Sequence, residues 1–329
     1  MKICFLDGIK IPYTSKDINS NKIRGAENIL INLSLEFSNL NHDVTIYNNC
    51  NKNEVINNVT WKNINSIKNK PHYDLAISNN DIRLLDNVIS NNKVAISHSI
   101  QSIEKFFRKK QFIPYLKNKP KIVTLGDYHD RNRNYLIKIF GSFKINWAVD
   151  QIFIDANIKL DNKSSNAIFT SHSDRNLNLL IDIWKKYIFP KNTKKKLLIT
   201  PCGKNLEQFN IHNRKFEDKN NLLSDLSNSR VLLIPGHKAE LFCISAEEAR
   251  ELCVPIVTLG IGCLNERVEH NKTGFIAKNS KEFANYANIL LNDDIVWSNI
   301  RSNLYNLRGS NKWAMVAQKF LSRVFENDK

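Results

Sequence analysis

Two glutamates, Glu240 and Glu248, lie on either side of seven residues in the stretch 235–255, PGHKAELFCISAEEARELCVP. The apolar run 231–234 before it reads as a buried parallel strand, and a second such run, 256–259, opens just after Pro255. Between the runs the pattern predicts a loop carrying Glu240 and a helix over about 245–252 carrying Glu248. Strand, loop, helix and strand make a βαβ unit, and open α/β sheets bind ligands at the carboxyl ends of their strands. Residues 241–244 fall at the helix entrance, where unpaired N–H groups and the positive end of the helix dipole suit a phosphate. One carboxylate before the helix and one on its second turn would then flank a bound anion. Two further residues have chemical positions. His98 directly follows the apolar run 94–97, at a strand's carboxyl end, where it can serve either as a structural hydrogen-bonder or as a site residue. Gly25 stands at another helix entrance, but one glycine does not make the G-x-G-x-x-G dinucleotide fingerprint.

These residues need a scaffold, and the chain supplies two series of alternating elements. In the first, strands are expected at 2–6, 44–47, 75–78, 94–97 and 121–125. A helix after Gly25 is marked by Ile29, Leu30, Leu33, Leu35, Phe37 and Leu40. A polar stretch at 155–166, rich in Asn, Lys and Ser, reads as a linker. The second series has strands at 167–170, 196–200, 231–234 and 256–259, with a helix over about 177–187. Trp313, Val316, Ala317, Phe320, Leu321 and Val324 mark a closing amphipathic helix. The expected organisation is therefore α/β, with two Rossmann-like domains facing a cleft. Their bounds are 1–154 for the first domain, 155–166 for the linker and 167–312 for the second. Residues 313–329 are expected to pack back toward the first domain.

Composition narrows the partners. The 329 residues carry a formal charge of +16, which attracts nucleic acid, anionic lipid or phosphorylated small molecules. Asn, Lys and Ile are plentiful, as an AT-rich genome would make them, and that accounts for part of the charge. No RRM, KH, zinc-finger or helix-turn-helix pattern occurs, so nucleic acid is not the expected partner, and a basic nucleic-acid-binding protein is the weakest alternative. Two segments, 106–119 (FFRKKQFIPYLKNK) and 131–144, mix basic with aromatic and aliphatic residues. Each reads as a solvated face or as a surface for anionic lipid. The six cysteines form no Cys-x-x-Cys pair, which points to free thiols in a reducing compartment and to no metal centre. No export h-region and no apolar run near the roughly 20 residues of a membrane span occur. The expectation is a cytoplasmic protein, soluble or peripheral at the inner face of the membrane.

Taken together, the residues resemble retaining glycosyltransferases of the GT-B fold, family 4 type. The resemblance runs through Pro235, Glu240, Phe242, Glu248-Ala249, Pro255-Ile256-Val257, Gly260, Gly262, Glu266 and Thr273-Gly274-Phe275-Ile276. Gly25-Ala26-Glu27, Asn41-His42-Asp43-Val44 and Val149-Asp150 with Phe153 resemble the family's earlier segments. It implies transfer of a hexose from a nucleotide-diphosphate sugar to a glycan or lipid-linked acceptor, with no cofactor. By position, Glu248 would take the ribose hydroxyls and Glu240 would face the donor sugar. The backbone of Phe242, Cys243, Ile244 and Ser245 would approach sugar and diphosphate, and His98 would contribute to the sugar site. Arg175 stands where the family usually has a lysine that neutralises the leaving diphosphate. The departures are Arg24 for the first of two glycines, Thr170 for an arginine, Cys243 for a glycine and Val254 for a glycine. His172 is a candidate to compensate for Thr170. The departures keep open the alternative of a nucleotide-sugar-binding protein with weakened catalysis.

Overall fold

The computed structural model describes residues 1–20, 23–161, 164–204, 206–215 and 218–326. Residues 21–22, and residues 162–163 of the expected linker, lie outside the described residues. The chain divides into two compact units: Met1–Trp147 with Trp313–Lys329, and Ala148–Lys312.

The first unit is built on an eight-stranded sheet. Its strands are β1 (Lys2–Asp7), β2 (Asp43–Asn48), β3 (Glu54–Ile56), β4 (Val59–Asn63), β5 (Leu75–Asn79), β6 (Asn92–Ile96), β7 (Lys121–Thr124) and β8 (Ser142–Lys144). Their order is β3-β4-β2-β1-β5-β6-β7-β8. Only the β3–β4 hairpin is antiparallel. In β1 every residue after Lys2 is buried, as in a parallel strand covered on both faces. The helix Gly25–Asn39 turns Ile29, Leu30, Leu33 and Phe37 inward, and Phe37 stacks on Phe5 at 5.8 Å between centroids. The helix Trp313–Phe325 completes this core. Phe320 meets Phe37 and Phe143 edge-on, and Trp313 stacks on Trp147 at 6.0 Å. Burying one such ring contributes roughly 1.5–3 kcal/mol.

The second unit carries a six-stranded, all-parallel sheet, β11-β10-β9-β12-β13-β14. Here β9 is Asn166–Phe169, β10 Leu197–Ile199, β11 Ile211–Asn213, β12 Ser229–Leu233, β13 Ile256–Thr258 and β14 Gly274–Ile276. From β9 the chain winds to one side through β10 and β11, then reverses and continues from β12 on the other side. The first sheet reverses likewise between β1 and β5. Each reversal leaves a crevice at the strands' carboxyl ends, where the connections diverge.

Three expectations are revised. The contacts group residues 148–154 with the second unit rather than the first. Arg308 holds this segment by donating from Nη2 to the carbonyls of Ile154 (2.9 Å) and Ala156 (2.7 Å). The helix expected over 177–187 is α-helical only through Leu177–Ile183, then widens into a π turn at Trp184–Ile188. That turn sets the Trp184 indole inward, where it donates to Phe209 O at 2.9 Å. The basic segment 131–144 is not one solvated helix face. Arg133 is buried and pairs with Asp130 at 3.0 Å, Lys138 joins the same carboxylate, and Lys144 pairs with Asp127.

Candidate active site

The second unit's crevice lies between the loops that follow β9 and β12. After β12, the chain turns at Gly236 and His237, reaches Glu240 and enters the helix Ile244–Glu251. Glu240 N donates to His237 O at 2.9 Å, and Cys263 N donates to Glu240 O at 3.1 Å. Gly262, with φ 76°, makes this close approach possible, because a Cβ there would run into the carbonyls of His237 and Glu240. The pattern 260–262 is thus the buttress of the acid-bearing loop.

Arg175, on the loop after β9, reaches this acid. Its Nε lies 3.7 Å from Glu240 Oε2, and its Nη1 lies 3.2 Å from His237 Nδ1. Asn176 ties the two loops by donating to Gly236 O at 2.5 Å. Burial raises the Glu240 pKa above the usual carboxylate range, while Arg175 and a hydrogen bond from Cys243 draw it down. Buried Oε2 accepts no hydrogen bond among the described residues, so this carboxylate keeps acceptor capacity beside a cation.

Glu248 sits on the helix's second turn and is buried. Burial, with the nearby Asp150 carboxylate, pushes its pKa up to about 8, against the pull of Lys219 and Arg214. Lys219 is itself paired with Asp150 at 2.6 Å, and Arg214 with Asp225 at 2.7 Å. Phe242 packs under the Arg267 guanidinium at 4.4 Å from its ring centre. Cys243 caps the helix in the left-handed region, at φ 58° and ψ 73°. Ile244 and Ser245 form its first turn, with Ser245 buried.

The structure therefore brings together Glu240, Glu248, Arg175, Phe242, Cys243, Ile244 and Ser245. His172 lies on the same loop as Arg175, its carbonyl accepting from Arg175 N at 2.9 Å and its exposed ring accepting at Nδ1 from Asp174 N at 3.3 Å, while Thr170 Oγ1 is buried with no hydrogen-bond partner among the described residues. Sequence reasoning missed His237, Arg214 and Lys219, and it noticed Asp150 only as part of a motif. Nothing local marks Lys219, whose partner is far away in the chain.

The remaining candidates belong to the first unit. His98 follows β6, and its Nε2 faces Asn79 Oδ1 at 3.1 Å, so that nitrogen carries the proton. Burial lowers the His98 pKa to about 4, leaving a neutral hydrogen-bonding ring at physiological pH. Asn79 also hydrogen-bonds the Asp7 carboxylate, which accepts from the Tyr13 hydroxyl at 2.7 Å. Gly25 is the first residue of its helix, in open space.

Sucrose-phosphate synthase from Thermosynechococcus elongatus superposes with a TM-score of 0.70 at 12% identity, covering 98% of each chain. Anabaena HepE in complex with UDP-glucose gives 0.70 at 14% identity, over 98% of this chain and 99% of that one. WaaG, a glycosyltransferase involved in lipopolysaccharide biosynthesis, gives 0.67 at 10% identity, over 99% and 100%. The chain has the GT-B fold. In this GT-B chain, residues 189–306 match the sequence model of the family Glycosyl transferases group 1, a span that includes Glu240, Glu248 and the Gly262 buttress. No curated protein matches by sequence. At 10–14% identity these structural likenesses show the fold.

Proposed function

We propose that the chain is a retaining glycosyltransferase of the family 4 type, moving a hexose-type sugar from a nucleotide-diphosphate sugar to a glycan or lipid-linked acceptor. One observation carries this reading: Arg175 lies 3.7 Å from Glu240, an acid with an unused buried oxygen, beside the helix that bears Glu248. Solved HepE structures hold UDP, and UDP with glucose, which supports a donor of this class. Bond breaking leaves negative charge on the diphosphate and positive charge on the sugar carbon. Arg175 and the backbone N–H groups of residues 242–245 answer the first, and Glu240 answers the second. Glu248, with Lys219 holding Asp150 beside it, binds the ribose hydroxyls. We propose no cofactor, because these groups meet the charge themselves.

A second reading, donor binding with weakened turnover, is favoured by Thr170, whose buried hydroxyl brings no charge to the diphosphate. A panel of nucleotide sugars decides between failure and success of the main reading. The right donor at about 100 times its Kd should stabilise the protein by roughly 2.7 kcal/mol and should turn over. Stabilisation without turnover leaves the second reading, and no response to any donor sinks both.

We further propose cytoplasmic work at the inner membrane face, in cell-envelope polysaccharide or lipopolysaccharide synthesis. Among the described residues no helix is long and apolar enough to cross a membrane. Yet Phe107, Ile113, Leu116, Tyr135 and Ile139 are exposed on segments carrying Lys109, Lys110 and Lys117. Rings and aliphatic chains can enter the lipid interface while each cation contributes about 1 kcal/mol against anionic lipid. Anionic vesicles should co-sediment the protein at low salt and release it at high salt. Equal recovery with neutral vesicles contradicts the proposal.

A further inference from the structure

The crevice at the strand reversal of the first sheet holds a cavity of about 570 Å³, lined by the segments that follow β1 and β5. Its charge is segregated by depth. Asp7 and Glu27 are buried, whereas Arg108, Lys109 and Lys110 are exposed. Asp7 accepts from Tyr13, from the Asn79 side chain and, at 3.2 Å, from Ile9 N, while Glu27 accepts from Arg24 N at 2.8 Å. A carboxylate offers about four lone-pair sites, so both acids retain capacity for hydroxyl donors.

The cations stand at the turn between the helices Ile103–Arg108 and Phe112–Asn118. Buried Gln111 fixes that turn over the end of β5 by donating to Asn80 O at 3.1 Å. Arg83, also on the wall, is committed to Asp81 at 2.6 Å. Arg108 lies 3.8 Å from the Glu104 carboxylate in an exposed pair that a phosphate can displace, and Lys109 and Lys110 make no ion pair among the described residues.

This arrangement discriminates among ligands. A bare anion would be repelled by the buried acids, and a neutral sugar would leave the cations unused. A nucleotide would lack a stacking partner, since no aromatic ring lines the cavity among the described residues. We propose that the cavity binds the glycosyl acceptor as a hydroxylated ring bearing a phosphate, with ring hydroxyls on Asp7 and Glu27 and the phosphate on Arg108, Lys109 and Lys110. The inference rests on the glycosyl-transfer reading and names the acceptor class for it. The phosphate can belong to a soluble sugar phosphate or to a lipid headgroup.

Calorimetry on the full chain with glucose 1-phosphate, glucose 6-phosphate, glucose and inorganic phosphate tests the soluble source. Vesicles containing phosphatidylinositol, set against phosphatidylglycerol vesicles of equal charge, test the lipid-borne one. At least one phosphorylated ring should bind about tenfold or more tightly than its control. The double substitution Lys109→Gln, Lys110→Gln is on the surface and should weaken that binding about tenfold or more. Asp7→Asn should reduce the preference for the ring over the bare phosphate. Preference in the soluble arm assigns a free acceptor, and preference in the vesicle arm assigns a lipid-linked one. Absence of preference in both arms, or unchanged affinity in the double variant, overturns the proposal. UDP binding measured on the same preparations separates the two readings. Lost UDP binding with retained sugar-phosphate binding would sink glycosyl transfer and leave the cavity's specificity standing.

Discussion

Both sheets reverse their strand order beside their first strand, and both reversals gather carboxylates, yet they distribute cations in opposite ways. In the second unit the cations are drawn in among the acids: Arg175 beside Glu240, and Lys219 against Asp150 near Glu248. In the first unit the acids are sunk and the cations stand in solvent at the mouth. A cation already fixed near the reacting atoms needs no reorganisation when charge appears briefly, which suits a transition state. A solvated cation suits a ligand that is charged before it arrives, because it attracts at long range and is screened by salt. On the proposed readings the same fold element would serve a transient charge in one unit and a permanent one in the other.

The contrast breaks most readily at Glu240. Glu240→Gln should lower kcat by about 100- to 1,000-fold, the usual scale for removing a charge-stabilising group. Donor affinity measured by calorimetry should stay within about threefold, since this acid acts on charge that the ground state lacks. Full kcat in this variant would remove Glu240 from the transition state.

Glu248→Gln should show a smaller effect of a different kind. The donor KM should rise about 10- to 100-fold, more than kcat falls, because ribose hydroxyls interact alike in ground and transition states. Its stability should move the other way. Burial pushes the folded carboxyl up to about 8 from the 4.5 of the free group. The folded state therefore binds more protons between these values, and its stability falls as pH rises through that window. Thermal melts should show the Gln variant gaining on the wild type toward pH 8, with the difference closing below about pH 4.5. Parallel melting curves at all pH values would contradict a buried, reluctantly ionised Glu248.

Cys243→Gly should have the smallest effect on stability. A left-handed conformation costs a non-glycine residue about 1–2 kcal/mol. Glycine removes that strain but loses a buried thiol and adds roughly 0.5–1 kcal/mol of unfolded-state freedom. A net change within about 1 kcal/mol is expected. The loss of the thiol's hydrogen bond should raise the Glu240 pKa further, moving the acid limb of the kcat profile to higher pH. An unmoved limb would show that the acid does not titrate in turnover.

Sequence made some parts of this architecture readable and hid others for physical reasons. Strands such as LAIS and VAIS are continuous apolar runs because both faces are covered, and their positions followed directly. The β3–β4 hairpin lies at a sheet edge and β11 has three residues, so neither needs an apolar run to be stable, and neither was anticipated. At the site, the acid pair and helix entrance are local and were legible. His237 meets Arg175 across 62 residues, and no spacing encodes such a contact. Arg133 looked like a surface charge because its partner Asp130, three residues earlier, is local but the burial of the pair's arginine is set by distant packing that no spacing encodes.

The helix that closes the first unit also sets a timetable. Phe37, Phe143 and Trp147 are synthesised long before Phe320, the ring that covers them, because residues 148–312 form another unit in between. During translation the first sheet must wait, with an apolar strip open, while an entire second sheet emerges from the ribosome. Exposed strips of that kind invite association between nascent chains. Chaperone dependence of the newly made protein should therefore be written into its N-terminal half and relieved only when residue 325 has cleared the exit tunnel.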